Sequence, residues 1–228
     1  MAWKSEGIAD KTLKNRLSEL RWWSRAIGKP NVVSRENSDY GIGTVKSSPI
    51  GKSKELDLKK LSKIGCPFVQ HSLRLQQAFG LRREEAIKFN VAYADQGVHI
   101  RLKGSWTKGG KYREVPVTTA AQRQLLNEIK AFAKGGSLIP APNNYKQQLR
   151  KYERETAEAG LNKNHGLRHH YARARYLELT GWKCPADGGP SRKSLSEADL
   201  AHDTIVRLQI SEELGHGRFS VTYTYLGS

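Results

Sequence analysis

Four short stretches of this chain carry residue types that together can do chemistry on a phosphodiester. They are GLRREE at 80–85, TKGGK at 107–111, HGLRHHYA at 165–172 and LGHGRFSVTYTY at 214–225. Between them they supply two arginines, a lysine, two histidines and a tyrosine. Arginines neutralise phosphate charge, a lysine can protonate a leaving oxygen, and a tyrosine can be the nucleophile, so the set needs no metal.

Phosphoryl transfer gathers negative charge on the non-bridging oxygens, and a planar guanidinium can hold two of them at once. Arg82 follows a glycine turn where an expected helix opens, and free backbone N–H groups there also favour an anion. Arg168 lies in the first turn of another expected helix, three residues after His165. Lys108, at the tip of Lys108-Gly109-Gly110-Lys111, has a flexible ammonium able to donate a proton, and Lys111 competes for that role. Tyr225 needs cations around the phosphate and a histidine acceptor, because a phenol titrates near pH ~10. Tyr223 is its confounder. His165 and His169 stand four apart, a spacing that also suits a metal. No HExxH pattern appears and Cys66 and Cys184 are isolated, so the expectation is no metal and no cofactor. His169 and His170 read as packing residues or as contacts to a DNA backbone.

The elements that must position these groups follow from periodicity. Leu13, Leu17, Leu20 and Ile27 predict an amphipathic helix over 11–27, stopped by Gly28-Lys29-Pro30. Its other faces carry Lys14, Arg16, Arg21 and Arg25, beside Trp22 and Trp23. That face reads equally as a surface for a DNA backbone or as an ordinary solvated face with tryptophans in a core. Residues 34–53, rich in Ser and Gly, predict a linker. Helices follow over 67–79, stopped by Gly80, and over 82–89. Val98, Ile100 and Leu102, then Val115 and Val117, alternate as two strands of a hairpin around the glycine tip. Thr119 with Gln122 predicts a capping box opening a helix with Leu125, Ile129 and Phe132 inward. Tyr145, Leu149 and Tyr152 mark a helix ending at Gly160, and 166–179 is another. After a second loop at 183–193, Ser194 with Glu197 predicts the cap of a helix to about 209. The expected fold is therefore mainly α with one small antiparallel β-sheet (α+β).

A length of 228 residues allows one substantial domain and a smaller appendage, divided here as 1–50 and 51–228. The net charge of +17 points to a polyanionic partner, nucleic acid first. Two isolated cysteines exclude zinc ribbons and fingers and fit a reducing cytosol. No apolar run approaches 18 residues and no signal peptide is present, so the expectation is a protein without a membrane partner that stays inside the cell.

The ordered combination resembles the tyrosine recombinase (phage integrase) family over about 80–228. The flanking text AFGLRREEAIKF, SWTKGG, LRHHYA and YLELTGW is similar to integrases of bacterial integrative elements and prophages. On that resemblance the first arginine falls on Arg82, the bracing acid on Glu85 and the hairpin lysine on Lys108. The His-x-x-Arg box falls on His165 and Arg168, the second histidine on His216, and the nucleophile on Tyr225, nine residues later. The resemblance implies site-specific recombination of a mobile genetic element through a 3′-phosphotyrosyl intermediate and a Holliday junction, with neither ATP nor metal. Arg82, Arg168 and His216 would hold the scissile phosphate and Lys108 would protonate the leaving 5′-oxygen, with His165 assisting. It further implies double-stranded DNA attachment sites, a homo-oligomer (a tetramer on DNA), a DNA-bending accessory protein, and a bacterial cytoplasmic, nucleoid-associated location. Lys14, Arg16, Arg21, Arg25 and Lys111 would contact DNA.

Three departures from the family pattern bear on this. The Arg168–His216 interval is long and includes 183–193, a segment expected to touch DNA or a neighbouring subunit. The N-terminal region, read as a partial core-DNA-binding domain, is short, and little chain follows Tyr225. The alternative reading is accordingly a truncated, DNA-binding relative with impaired catalysis.

Overall fold

A computed structural model describes residues 2–43, 48–134 and 136–228. It divides into two compact units, residues 1–47 and 48–228.

The first unit contains α1 (Ala2–Ser5) and α2 (Asp10–Ala26). Leu13, Leu17 and Ser24 are the buried face of α2, and Ile42 closes over the two leucines with Val33 and Tyr40 alongside. Arg21 fastens the returning chain, donating through Nε to the Ser34 carbonyl (2.7 Å) and through Nη1 to Asn37 Oδ1 (3.0 Å). The expected stripe is thus cut short. Leu20 and Ile27 lie on the open side, and Trp22 and Trp23 are 71% and 56% exposed instead of joining a core. Part of the expected linker is structured, because Ser38–Tyr40 form a 3₁₀ turn and Ile42 is buried. Residues 44–47 of that linker lie outside the described residues.

The second unit runs α3 (Leu58–Leu61), α4 (Pro67–Phe79), α5 (Arg83–Ile87), α6 (Val91–Ala94), β1 (His99–Leu102), β2 (Arg113–Pro116), α7 (Ala120–Phe132), α8 (Tyr145–Glu158), α9 (Gly166–Thr180), α10 (Glu197–Glu213) and α11 (Tyr223–Leu226). It is mainly helical, with β1 and β2 as one antiparallel pair, His99 opposite Pro116 and Leu102 opposite Arg113. α4 is the central element. Proline at its first turn suits a helix start, Leu75 and Phe79 enter the larger core cluster, and Val69 and Leu73 enter a smaller one with Tyr152 and Leu167. Ile100, Leu102 and Val115 put the hairpin's inner face into the larger cluster. Val98 departs from the expected alternation and is 77% exposed, because it belongs to the turn that precedes β1.

Capping follows the sequence at Thr119, whose Oγ1 accepts from the Gln122 N–H (3.1 Å). It differs at α10, where Ser196 accepts from the Asp199 N–H (3.2 Å) while Ser194 sits in a separate 3₁₀ turn, and the helix runs on to Glu213. No helix among the described residues is long and apolar enough to cross a membrane.

Candidate active site

Two helix ends create a pocket of carbonyl oxygens that one arginine fills. Gly80 ends α4 in the left-handed region (φ +59°), and a Cβ there would come within 2.5 Å of Tyr171 Cδ1, so glycine alone fits. Leu214 caps α10. Carbonyls at helix C-termini lack intrahelical partners and carry partial negative charge, which suits a cation. Arg168, third residue of α9 and 1% exposed, donates Nη1 to the Gly80 carbonyl and Nη2 to the Leu214 carbonyl. A guanidinium can be buried this deeply because its donors are matched.

Beside it lies an acid that serves three donors. Glu85, fully buried in α5, accepts from the Arg82 backbone N–H (2.7 Å), Arg82 Nη1 (2.8 Å) and Arg113 Nη2 (2.6 Å). Burial would raise its pKa, but Arg113, Arg168, Arg82 and the backbone N–H outweigh that and hold the carboxyl below its ordinary range. Arg113 also donates Nη1 to the Leu214 carbonyl (2.8 Å). Burial lowers its pKa against the opposing pull of Glu85, though a guanidinium stays charged at neutral pH.

The reactive-looking groups meet beside this frame. His216 Nε2 lies 3.3 Å from Arg168 Nη2, 3.4 Å from Arg82 Nη2 and 3.3 Å from the Tyr225 hydroxyl. Burial, then the cationic Arg168, Arg82 and Arg113 with Glu85 opposing, push the His216 pKa down to about 4. The ring is therefore neutral near pH 7, and with arginine N–H groups aimed at Nε2 that nitrogen is the acceptor. Tyr225, 4% exposed in α11, also receives Arg168 Nε at 3.2 Å. Tyr223, the confounder, instead meets Phe219 edge to face and has the Arg207 guanidinium over its ring.

The other expected residues are spread more widely. His165 precedes α9 with its ring 6.3 Å from that of Tyr225, and desolvation followed by Arg168, Arg82 and Lys52 lowers its pKa. His169, 3% exposed, packs its ring 4.6 Å from Tyr225, and burial followed by His165 and nearby cations pushes its pKa down to about 4. Lys108 and Lys111 are exposed on the β1–β2 loop, which folds back so tightly that a Cβ on Gly104 would sit 2.4 Å from the Gly110 carbonyl oxygen. In the first unit Lys14, Arg16 and Arg25 are exposed, whereas the Arg21 guanidinium is engaged by Ser34 and Asn37. Sequence reasoning missed Arg113. A signal was present, since a charged residue two before Val115 occupies the inward register of a strand. Among the described residues no three His, Cys, Asp or Glu side chains are grouped to hold a metal.

This frame of helix-end carbonyls, arginines and a tyrosine sits in a fold seen before. The integrase family model matches residues 58–174, just over half the chain, and the chain belongs to the integrase family. That span holds Arg82, Glu85, Lys108, His165 and Arg168 and ends before His216 and Tyr225. Among solved structures, the Tn1549 transposon integrase in complex with circular intermediate DNA is similar (TM-score 0.56, 16% identity, 100% of this chain and 78% of that one). The XerH site-specific recombinase bound to palindromic difH substrate is another (TM-score 0.48, 20% identity, 81% of this chain). The integrase from mycobacterium phage Brujita is a third (TM-score 0.42, 20% identity, 93% of this chain and 76% of that one). The chain spans about half the length of the XerH chain, 51%. No curated protein matches it.

Proposed function

We propose that this integrase-family chain is a site-specific DNA recombinase that cuts and rejoins DNA through a 3′-phosphotyrosyl intermediate. One observation carries the reading. The Tyr225 hydroxyl stands 3.2 Å from Nε of the buried Arg168 and 3.3 Å from His216 Nε2.

In the proposed reaction the Tyr225 oxygen attacks phosphorus while its proton passes to His216 Nε2. Arg82 and Arg168 neutralise the non-bridging oxygens, and the phosphate takes over N–H groups that now face the hydroxyl and His216. The bond to the 5′-oxygen breaks, and Lys108 of the exposed β1–β2 loop would protonate that oxygen. Glu85 orients Arg82 and, through Arg113, the Leu214 carbonyl. His165, beside the Tyr225 ring, assists at the phosphate. Bond energy is kept in the phosphotyrosine, so no cofactor is required.

Double-stranded DNA is the partner that suits a +17 chain, and the Tn1549 integrase was solved with DNA. Residues 1–50 would form a partial DNA-holding region, with Lys14, Arg16 and Arg25 on phosphates, and residues 51–228 the reaction domain with Lys111 at its DNA face. Arg21 would act through the fold of its own unit. Assembly as a tetramer on two attachment sites, with a bending protein, in a bacterial cytoplasm at the nucleoid, completes the proposal.

The test uses nicked suicide DNA duplexes built from the ends of the host element, without metal. A denaturation-resistant adduct that maps to Tyr225 and is absent in Tyr225→Phe, with DNA affinity unchanged, is the expected outcome. Binding without an adduct would favour a DNA-binding relative with impaired catalysis.

A further inference from the structure

The one-turn helix α11 cannot hold Tyr225 by itself, because a single turn fixes many dihedrals for one hydrogen bond and leaves its last carbonyls without partners. Two buried arginines from other elements take those carbonyls. Arg207 of α10, fully buried, donates Nη1 to the Gly227 carbonyl (2.8 Å). Arg173 of α9, 6% exposed, donates Nε to the carbonyl of Tyr225 itself (3.1 Å).

Arg173 has its other nitrogens engaged as well. Nη2 donates to the Pro49 carbonyl (2.6 Å), and Nη1 is paired with the Asp187 carboxylate. Asp187 belongs to the 183–193 loop, whose 3₁₀ turn Pro185–Asp187 folds back through the Asp187 and Gly189 N–H groups, both donated to the Cys184 carbonyl. A Cβ on Gly189 would lie 1.6 Å from the Lys183 carbonyl oxygen, so this path requires glycine. The turn also packs against the end of α11, where a Cβ on Gly227 would meet the Ala186 backbone nitrogen at 3.0 Å and Pro185 Cβ at 3.2 Å.

We propose that Arg173 and Asp187 are positioning residues for the nucleophile: the 183–193 loop is a clamp that holds the Tyr225 backbone so that its hydroxyl meets Arg168 and His216 of the same chain. This rests on the function proposed above. The Pro185–Asp187 turn then packs inward onto the end of α11, while Lys183 and Lys193 of the same loop stay exposed. Misplacement of a reacting atom by about 1 Å can cost roughly a hundredfold in rate, so a backbone clamp outside the reacting atoms has a large effect on chemistry and little on binding.

Arg173→Ala, Arg173→Lys and Asp187→Asn test it in the full chain. The readouts are thermal unfolding, DNA affinity and the single-turnover rate of Tyr225 adduct formation at saturating suicide DNA. Arg173→Ala should lower that rate by roughly tenfold to a hundredfold with affinity held within about threefold, and Arg173→Lys should recover part of it. A 5′-phosphorothiolate substrate, which needs no proton on the leaving group, should rescue Lys108→Ala and leave Arg173→Ala slow. An Arg173→Ala rate within about twofold of wild type, or a loss carried wholly by affinity, overturns the clamp. Should Arg173→Ala fail to fold, Asp187→Asn decides, since it leaves the Tyr225 contact in place and loosens only the loop. A slower rate at saturating DNA supports the clamp and an unchanged one overturns the loop's part. If the wild-type chain forms no Tyr225 adduct, the proposed function fails, which separates that failure from failure of the clamp.

Discussion

Among single residues, Glu85 carries the largest expected effect, because its one carboxylate answers Arg82 and Arg113 at full burial. Breaking a buried pair by neutralising one member strands the other charge, so Glu85→Gln should destabilise the fold by about 3–5 kcal/mol in urea unfolding. His216 and His169 act through pH. Both have folded pKa values of about 4, below the ordinary 6.5, so as pH falls through about 6.5 the unfolded chain takes up protons that the native rings refuse. Stability should therefore be at its full value above about pH 7 and fall on acidification, by at most about 1.4 kcal/mol per pH unit for each ring. Urea unfolding at about pH 7 and about pH 5.5 measures the slope, which His216→Gln should reduce.

At the level of elements, the site depends on where helices stop. Arg168 is held by the terminal carbonyls of α4 and α10, and Arg113 shares the second of these. Moving either helix end moves the arginine. Gly80→Ala places a side chain at φ +59° and a methyl group against Tyr171, so it should cost about 2–4 kcal/mol from the left-handed backbone and the overpacking together. Denaturant unfolding measures that cost. Since the Gly80 carbonyl would shift with it, adduct formation in the surviving folded fraction should fall as well.

Across the whole molecule, charge sets how DNA would be held. With net charge +17, binding should be dominated by release of counterions from phosphates. Affinity for any duplex should fall by on the order of a thousandfold between about 50 and about 200 mM salt, measured by fluorescence anisotropy. A weak salt dependence would count against DNA as the partner. The exposed Lys14, Arg16 and Arg25 of the first unit should each lower the slope by about one when replaced by Ala, whereas Arg21→Ala should mainly destabilise that unit.

What the sequence determined by itself was local or ordered along the chain. Pro67 and Gly80 bound α4, Thr119 and Gln122 cap α7, and the two glycines turn the β1–β2 loop, because these depend on nearest neighbours. The four signatures, in order, were enough to name the family and the candidate residues. Tertiary structure decided what depends on contacts between distant segments. It set Tyr225, rather than Tyr223, beside Arg168 and His216, because α11 packs on α9 with Leu226 buried. It exposed Trp22 and Trp23, which composition alone could assign equally to a core. It recruited Arg113 and Arg173, whose partners lie at Leu214 and Tyr225, too far along the chain for any spacing rule to reach. A buried guanidinium needs carbonyls and carboxylates brought from several elements at once, and only the folded chain supplies them.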